Sequence, residues 1–403
     1  MELLRRHPPA LRLAALGLAV LLLGASCRKR LSLPDGPADR REWMTAGGGE
    51  DSPGWSPERL LLPLELRWKA RTRGSVVASP LVIGDLICVG SLGKRFYFLS
   101  AADGGRYSAL KTDAGISATA AAGEGSVYLA TGVGEGLVYG LDLEAGRIRW
   151  KTAVGDVSAA LSYHRERLLV STNEGEVVCL AAGDGSVLWR FSTRGRRTTA
   201  AAVAGETAVC GCDDGYLYAL GVEDGGERWS RQLEGAVWAR PSAAAGRVCA
   251  GTFEGFLYCL AADDGETIWC RELEGSITRP PVQGGGSVFA GTDRGLLTAV
   301  DRRSGETIWE NRLDDARPGS PLATPDALFV GDSQGRLLAL SSGSGELLWS
   351  HRTDRAIVAA PVIREGRLFV GSMDDHLYAF APAASGSTAV DTAAGGVEGP
   401  PIP

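Results

Sequence analysis

The sequence predicts an all-β fold, an eight-bladed β-propeller of four-stranded antiparallel blades, its ring closed by an N-terminal strand (64–69) that completes the last blade. Three observations predict it. Trp150, Trp189, Trp229, Trp269, Trp309 and Trp349 recur at spacings of 39, 40, 40, 40 and 40 residues. Each closes a similar phrase, from EAGRIRW and GDGSVLW to GSGELLW, and Tyr107 and Trp68 extend the series toward the N-terminus. Each period holds strand-like runs between glycine-rich breaks, and one such unit cannot bury its apolar face alone.

Taken in order, residues 1–27 read as an export signal. Arg5, Arg6 and Arg12 precede the eleven-residue apolar run Leu13–Leu23, which is too short to span a bilayer. The run ends in Leu-Gly-Ala-Ser-Cys and resembles a bacterial lipoprotein signal, in which Cys27 receives the lipid; Gly24 stands where the usual leucine would. A plain export signal cut after Ser26 stays open beside it. By the sorting rule of enteric lipoproteins, Arg28 after the cysteine implies the outer membrane. Residues 28–62, rich in Gly, Pro and charge, read as a flexible tether.

The propeller is expected over 63–382. In one unit, SVFAGT is a β-prone run, Asp293-Arg294-Gly295 a tight reversal, LLTAVD the next strand, Ser304-Gly305 the next turn and ETIWENR the last strand. Inner strands are expected to begin near Val77, Ser117, Ser158, Thr199, Val237, Ile277, Arg317 and Ile357, which makes eight units. The eighth stops before any Trp, and Leu64–Lys69, carrying Trp68, supplies its missing outer strand and leaves no broken edge. Trp68, Tyr107, Trp150, Trp189, Trp229, Trp269, Trp309 and Trp349 are expected to dock between blades, each burial stabilising by a few kcal/mol at about 25 cal/mol per Å². The tail, 383–403, lacks the residues for a core and reads as disordered.

A composition of 44% apolar and 22% charged residues suits a β-rich domain with a core, and a net charge of −6 argues against nucleic-acid binding. Seven cysteines remain after Cys27, an odd number that does not make a complete disulfide framework. Cys88 and Cys249 hold equivalent places in second strands, Cys179 and Cys259 equivalent places in third strands where sister units carry Ala219, Ala339 or Ala379, and all read as small apolar core filler, as do Cys210 and Cys212. No spacing of Cys with His suggests zinc, and no metal, cofactor or catalytic residue is nominated.

The stretches GCDDGYLYALGVEDGGERW, GTFEGFLYCLAADDGETIW and GTDRGLLTAVDRRSGETIW resemble the pyrroloquinoline-quinone-type (PQQ-like) propeller repeat, and the resemblance covers all eight units. It is specific for fold and not for activity. Quinoprotein dehydrogenases of this superfamily imply an adjacent-cysteine disulfide, a catalytic Asp and a calcium site. Here Gly211 separates Cys210 from Cys212, and no Asp, Asn and Glu set suggests itself for calcium. Arg240 and Arg279, with Trp238, stand where they could approach an anion or be solvated or paired with carboxylates.

Length, signal type and blade count are also similar to the BamB family of outer-membrane-protein assembly lipoproteins. The segment Ser192-Thr193-Arg194-Gly195 is similar to the Leu-Arg-Gly loop with which that family contacts its barrel partner. The resemblance assigns partner binding to Arg194 and Gly195, with Arg196 and Arg197 making the loop more basic. Thr193 replaces a leucine, and the region around Glu234–Val237 lacks the acidic residues the family carries. The expectation is a non-enzymatic, monomeric envelope scaffold facing the periplasm on a lipid anchor, its partner a component of outer-membrane β-barrel assembly. The alternative is an exported ligand-binding or sensory propeller, and a quinoprotein dehydrogenase is the lesser one.

Overall fold

A computed structural model describes Leu31, Leu33 and residues 54–132 and 136–383. The candidate lipidation site Cys27, the signal, most of the tether and the tail beyond Ala383 lie outside the described residues.

Eight four-stranded antiparallel sheets form the ring. Blade 1 comprises Leu81–Ile83, Leu86–Ser91, Arg95–Ser100 and Arg106–Lys111 from inside to outside, and blades 2 to 7 repeat that order. Blade 8 takes three strands from the C-terminal end, Val362–Arg364, Arg367–Gly371 and His376–Pro382. Its outer strand is Leu64–Arg71, which pairs antiparallel with His376–Pro382 from Leu64↔Pro382 to Arg71↔His376, with a bulge between Leu66 and Trp68. The two middle strands of each blade carry the core. Val127, Leu129, Val138 and Leu141, for example, are fully buried, because both faces of these strands pack against neighbouring blades.

The inner strands are shorter and start later than the sequence suggests. They span two or three residues, as in Leu81–Ile83, Ser242–Ala244 and Leu322–Ala323, instead of beginning near Val77, Val237 or Arg317. The apolar residues taken for strand starts anchor the connection that precedes the strand. Val237 and Ile277 are fully buried, and each presses on a glycine of the strand beside it. A Cβ at Gly211 would stand 2.2 Å from Val237 and one at Gly251 2.1 Å from Ile277, so only glycine fits there. Pro80, Pro241, Pro321 and Pro361 follow these anchors and enter the inner strand, whose channel edge needs no ladder donor.

Part of the segment read as tether is ordered on the ring. Trp55 forms a parallel bridge to Ala323, with Ser56 N donating to Ala323 O at 2.9 Å and Ala323 N to Gly54 O at 2.7 Å. Its indole lies against Gly284, where a Cβ would meet it at 1.8 Å. Glu58 accepts from Gly366 N at 3.1 Å, and Arg59 pairs with Asp326 at 2.7 Å. This run crosses the end of the ring that carries the turns between first and second strands. Farther upstream, Leu31 N donates to Gly146 O at 2.7 Å, and Leu31 and Leu33 pack against the core shared by blades 1 and 2.

Candidate functional site

The eight positions expected to dock between blades fall into two groups. Six tryptophans reach the next blade in one geometry. Their indole N–H groups donate to the carbonyls of Ala101 (Trp68), Ala182 (Trp150), Val222 (Trp189), Ala262 (Trp229), Arg302 (Trp269) and Ser342 (Trp309), at 2.9 to 3.2 Å. Each ring also covers a glycine of positive φ, such as Gly265 beneath Trp229 and Gly305 beneath Trp269. Trp349 donates to Leu64 O at 3.0 Å, because the outer strand of blade 8 begins where the other blades have that turn. Tyr107 differs. Its hydroxyl donates to Asp85 within its own blade at 2.8 Å, and its ring is 36% exposed. Leu31 and Leu33 lie at the seam that Tyr107 leaves without a tryptophan.

The basic loop 193–198 joins the outer strand of blade 3, Val187–Ser192, to the inner strand of blade 4, Ala202–Ala204. It lies on the ring face that carries the turns between second and third strands. Thr193 N and Oγ1 both donate to Gly175 O, at 2.8 and 2.9 Å, fixing the loop to its own blade. On the other side the Asp213 carboxylate accepts from the amides of Arg196 and Arg197 at 2.9 and 3.2 Å. Burial alone would raise the Asp213 pKa, but these amides outweigh it and hold the carboxyl below its ordinary range. Gly195 fills a position no other residue can take, since a Cβ would stand 2.2 Å from Asp213 Oδ1 and 2.6 Å from Cys212 Sγ.

The loop thereby displays three exposed arginines, Arg194 and Arg197 over aromatic rings and Arg196 between them. Arg194 sits 4.9 Å above the Tyr216 ring, and its amide donates to the Tyr218 hydroxyl at 3.4 Å. That hydroxyl donates in turn to Asp214 at 2.6 Å, and burial followed by this bond raises the Tyr218 pKa. Arg197 lies 5.9 Å from the Trp238 ring, itself 4.3 Å from the Phe253 ring; both rings are about 40% exposed. Among the described residues none of these three arginine side chains forms an ion pair within the chain. Such a surface suits a carboxylate-bearing partner, because guanidinium forks bind carboxylates in two parallel hydrogen bonds, and tryptophan, tyrosine and arginine concentrate binding energy at interfaces.

Arg240 and Arg279 line the axial channel, a cavity of about 580 Å³ bordered by residues in or just before the inner strands of all eight blades and by residues 54–58. Neither is paired with a carboxylate among the described residues; both are half-buried, and the Nε of Arg240 is buried without a partner. Among those residues no group of three or more His, Cys, Asp or Glu side chains is placed to hold a metal ion.

The family model described as outer membrane protein assembly factor BamB matches residues 105–311 and 293–390. The chain belongs to this family. No curated protein sequence matches it significantly. Among solved structures, BamB from Moraxella catarrhalis superposes with a TM-score of 0.70 at 19% identity, covering 79% of this chain and 100% of that one. The computationally designed protein Ika8 gives 0.70 at 13% identity, over 79% of this chain and 99% of that one. A quinohemoprotein alcohol dehydrogenase from Comamonas testosteroni gives 0.67 at 16% identity, over 81% and 78%. Identities this low speak for the shared propeller alone.

In this BamB-family chain, sequence reasoning nominates Arg194 to Arg197 and misses what holds them in place. Asp213 was visible as a turn residue in Asp213-Asp214-Gly215, and the repeat register held the further signal. At the equivalent place Asp293 accepts from Ser276 N at 2.7 Å, and Ser333 from Arg317 N at 2.9 Å. Trp238 and Phe253 both belong to blade 5, one in the connection that enters it and the other in its turn between second and third strands, and their contact needs the folded blade to be seen.

Proposed function

We propose that this chain is a non-enzymatic scaffold of the bacterial envelope, tethered to the outer membrane through a lipid on Cys27, that captures a component of the β-barrel assembly machinery through the 193–198 loop. The observation that carries the reading is the loop's fixed display of Arg194 over Tyr216 beside the Asp213-held Arg196 and Arg197, in a chain of the BamB family. Because Asp213, Gly175 and Tyr218 already order the backbone, binding forfeits little conformational freedom. In this reading Arg194 forms the bidentate pair with a partner carboxylate, and the Trp238–Phe253 lip adds apolar contact.

The test is affinity purification of the full-length protein from its native envelope, with mass spectrometry of what co-elutes. Recovery of an outer-membrane β-barrel with periplasmic repeat domains is expected, and its reproducible absence would remove the assembly role. Arg194→Glu should lower that recovery at least about tenfold, since it replaces a charge-assisted pair by repulsion. The melting temperature should stay unchanged, because an exposed cation–π contact is worth about 0.5–1 kcal/mol. Equal capture by both forms would dismiss the loop. A second reading, an exported ligand-binding propeller, is favoured by one feature, the arginines inside the channel.

A further inference from the structure

Among the described residues that border the channel, arginines outnumber carboxylates, and Arg240 and Arg279 form no ion pair. Among the charged residues bordering the cavity are Arg197, Arg240, Arg279 and Arg364 against a single carboxylate, Glu58. Glu58 belongs to the segment crossing the far end, where its Oε2 accepts from the Gly366 amide. Arg240 and Arg279 lie toward the opposite end, next to the connections from outer to inner strands. Arg240 extends past blade 4 to blade 3, where its Nη2 donates to Ser162 Oγ at 3.3 Å. Its Nε is buried and has no acceptor. Arg279 makes no ion pair among the described residues.

Desolvation lowers the pKa of both groups, Arg240 to about 10, so both remain cationic at neutral pH, each half-buried in the channel wall. The buried Nε of Arg240 is costly to leave without an acceptor, and an anion in the channel would supply one. The surrounding wall offers the small hydroxyl residues Thr278 and Ser320, which leave the space open and can donate to anionic oxygens. A volume of about 580 Å³ falls within the range of small-molecule sites and admits a compact organic ligand.

We propose that the axial channel binds a small organic anion carrying at least two carboxylates, one held by Arg240 and another by Arg279. The two arginines come from neighbouring blades, so their spacing is set by the ring and not by a flexible loop. One carboxylate oxygen meets the orphaned Nε of Arg240, which Ser162 leaves unused. Arg197 and Trp238 border both the channel and the 193–198 surface, but the anion is assigned to Arg240 and Arg279 and the partner to Arg194, so the failure of one reading leaves the other intact.

The experiment is isothermal titration of the full-length protein with citrate, a small tricarboxylate, alongside sodium sulfate and sodium chloride at matched ionic strength. A saturable one-to-one citrate isotherm with no comparable heat from either salt is expected. Arg240→Gln and Arg279→Gln should each weaken citrate at least about tenfold while leaving the far-UV spectrum and melting temperature in place. If Arg240→Gln fails to fold, Arg279→Gln, nearer the open end, decides alone. No citrate binding, equal responses to citrate, sulfate and chloride, or unweakened citrate binding by the folded variants would each overturn the proposal.

Discussion

Trp269 carries two interactions that a smaller residue cannot reproduce. Its ring lies on Gly305, whose φ of +75° and missing Cβ let the indole approach, and its N–H reaches Arg302 O at 3.0 Å. Trp269→Ala should cost about 3–5 kcal/mol, the ordinary range for deleting a large buried aromatic. Urea unfolding of the two proteins measures it, and an unchanged midpoint would refute the seam's contribution. The tryptophan positions were legible because a residue that must meet the same glycine in each blade keeps a fixed period. Tyr107 shows what that period does not reveal. It holds the right place in the series, yet its hydroxyl finds Asp85 at 2.8 Å in its own blade. The role follows from the indole's reach and its N–H, and a phenol in that register has a nearer partner.

At the scale of elements, the outer-to-inner connections do most to place the candidate site, and they were the least legible part of the chain. Their apolar residues resemble the first residues of a strand, whereas Val237 and Ile277 are wedges against glycines of the sheet. The upstream segment was missed for a related reason. Residues 28–62 have a linker's composition, and what fixes parts of them is a few isolated side chains, Leu31, Leu33, Trp55 and Glu58, with no periodicity to betray them. Leu31 and Leu33 occupy the one seam without a tryptophan, so the ring depends on them there. The double change Leu31→Asp with Leu33→Asp should cost about 2 kcal/mol, the transfer free energy of two partly buried leucines. Hydrogen exchange would show the loss concentrated in the outer strands Arg106–Lys111 and Arg147–Ala153. Uniform change across all eight blades, or none, would mean the leucines do not secure this seam.

Across the whole molecule, eight similar units in an open row would behave as a one-dimensional array, each stabilised only by its neighbours. Pairing of Leu64–Arg71 with His376–Pro382 joins the first and last of them, and Trp68 and Trp349 dock on either side of that junction. Its location was legible from arithmetic: the last unit lacked an outer strand and the first residues of the propeller had one to spare. Closure also positions the arginines, since Arg197, Arg240 and Arg279 come from three successive blades and share one channel only when the ring is complete. Deleting residues 64–71 should therefore do more than remove one strand's contacts. It exposes the edge of His376–Pro382, an unpaired template for association, and leaves blade 1 without the Trp68 dock. The shortened protein is expected to unfold in urea with separate transitions by far-UV circular dichroism and tryptophan fluorescence, where the complete one gives coincident curves. It should also form oligomers that scale with concentration in light scattering. A monomer with a single coincident transition would show that the seams alone hold the ring, and that the strand pairing at its junction is dispensable.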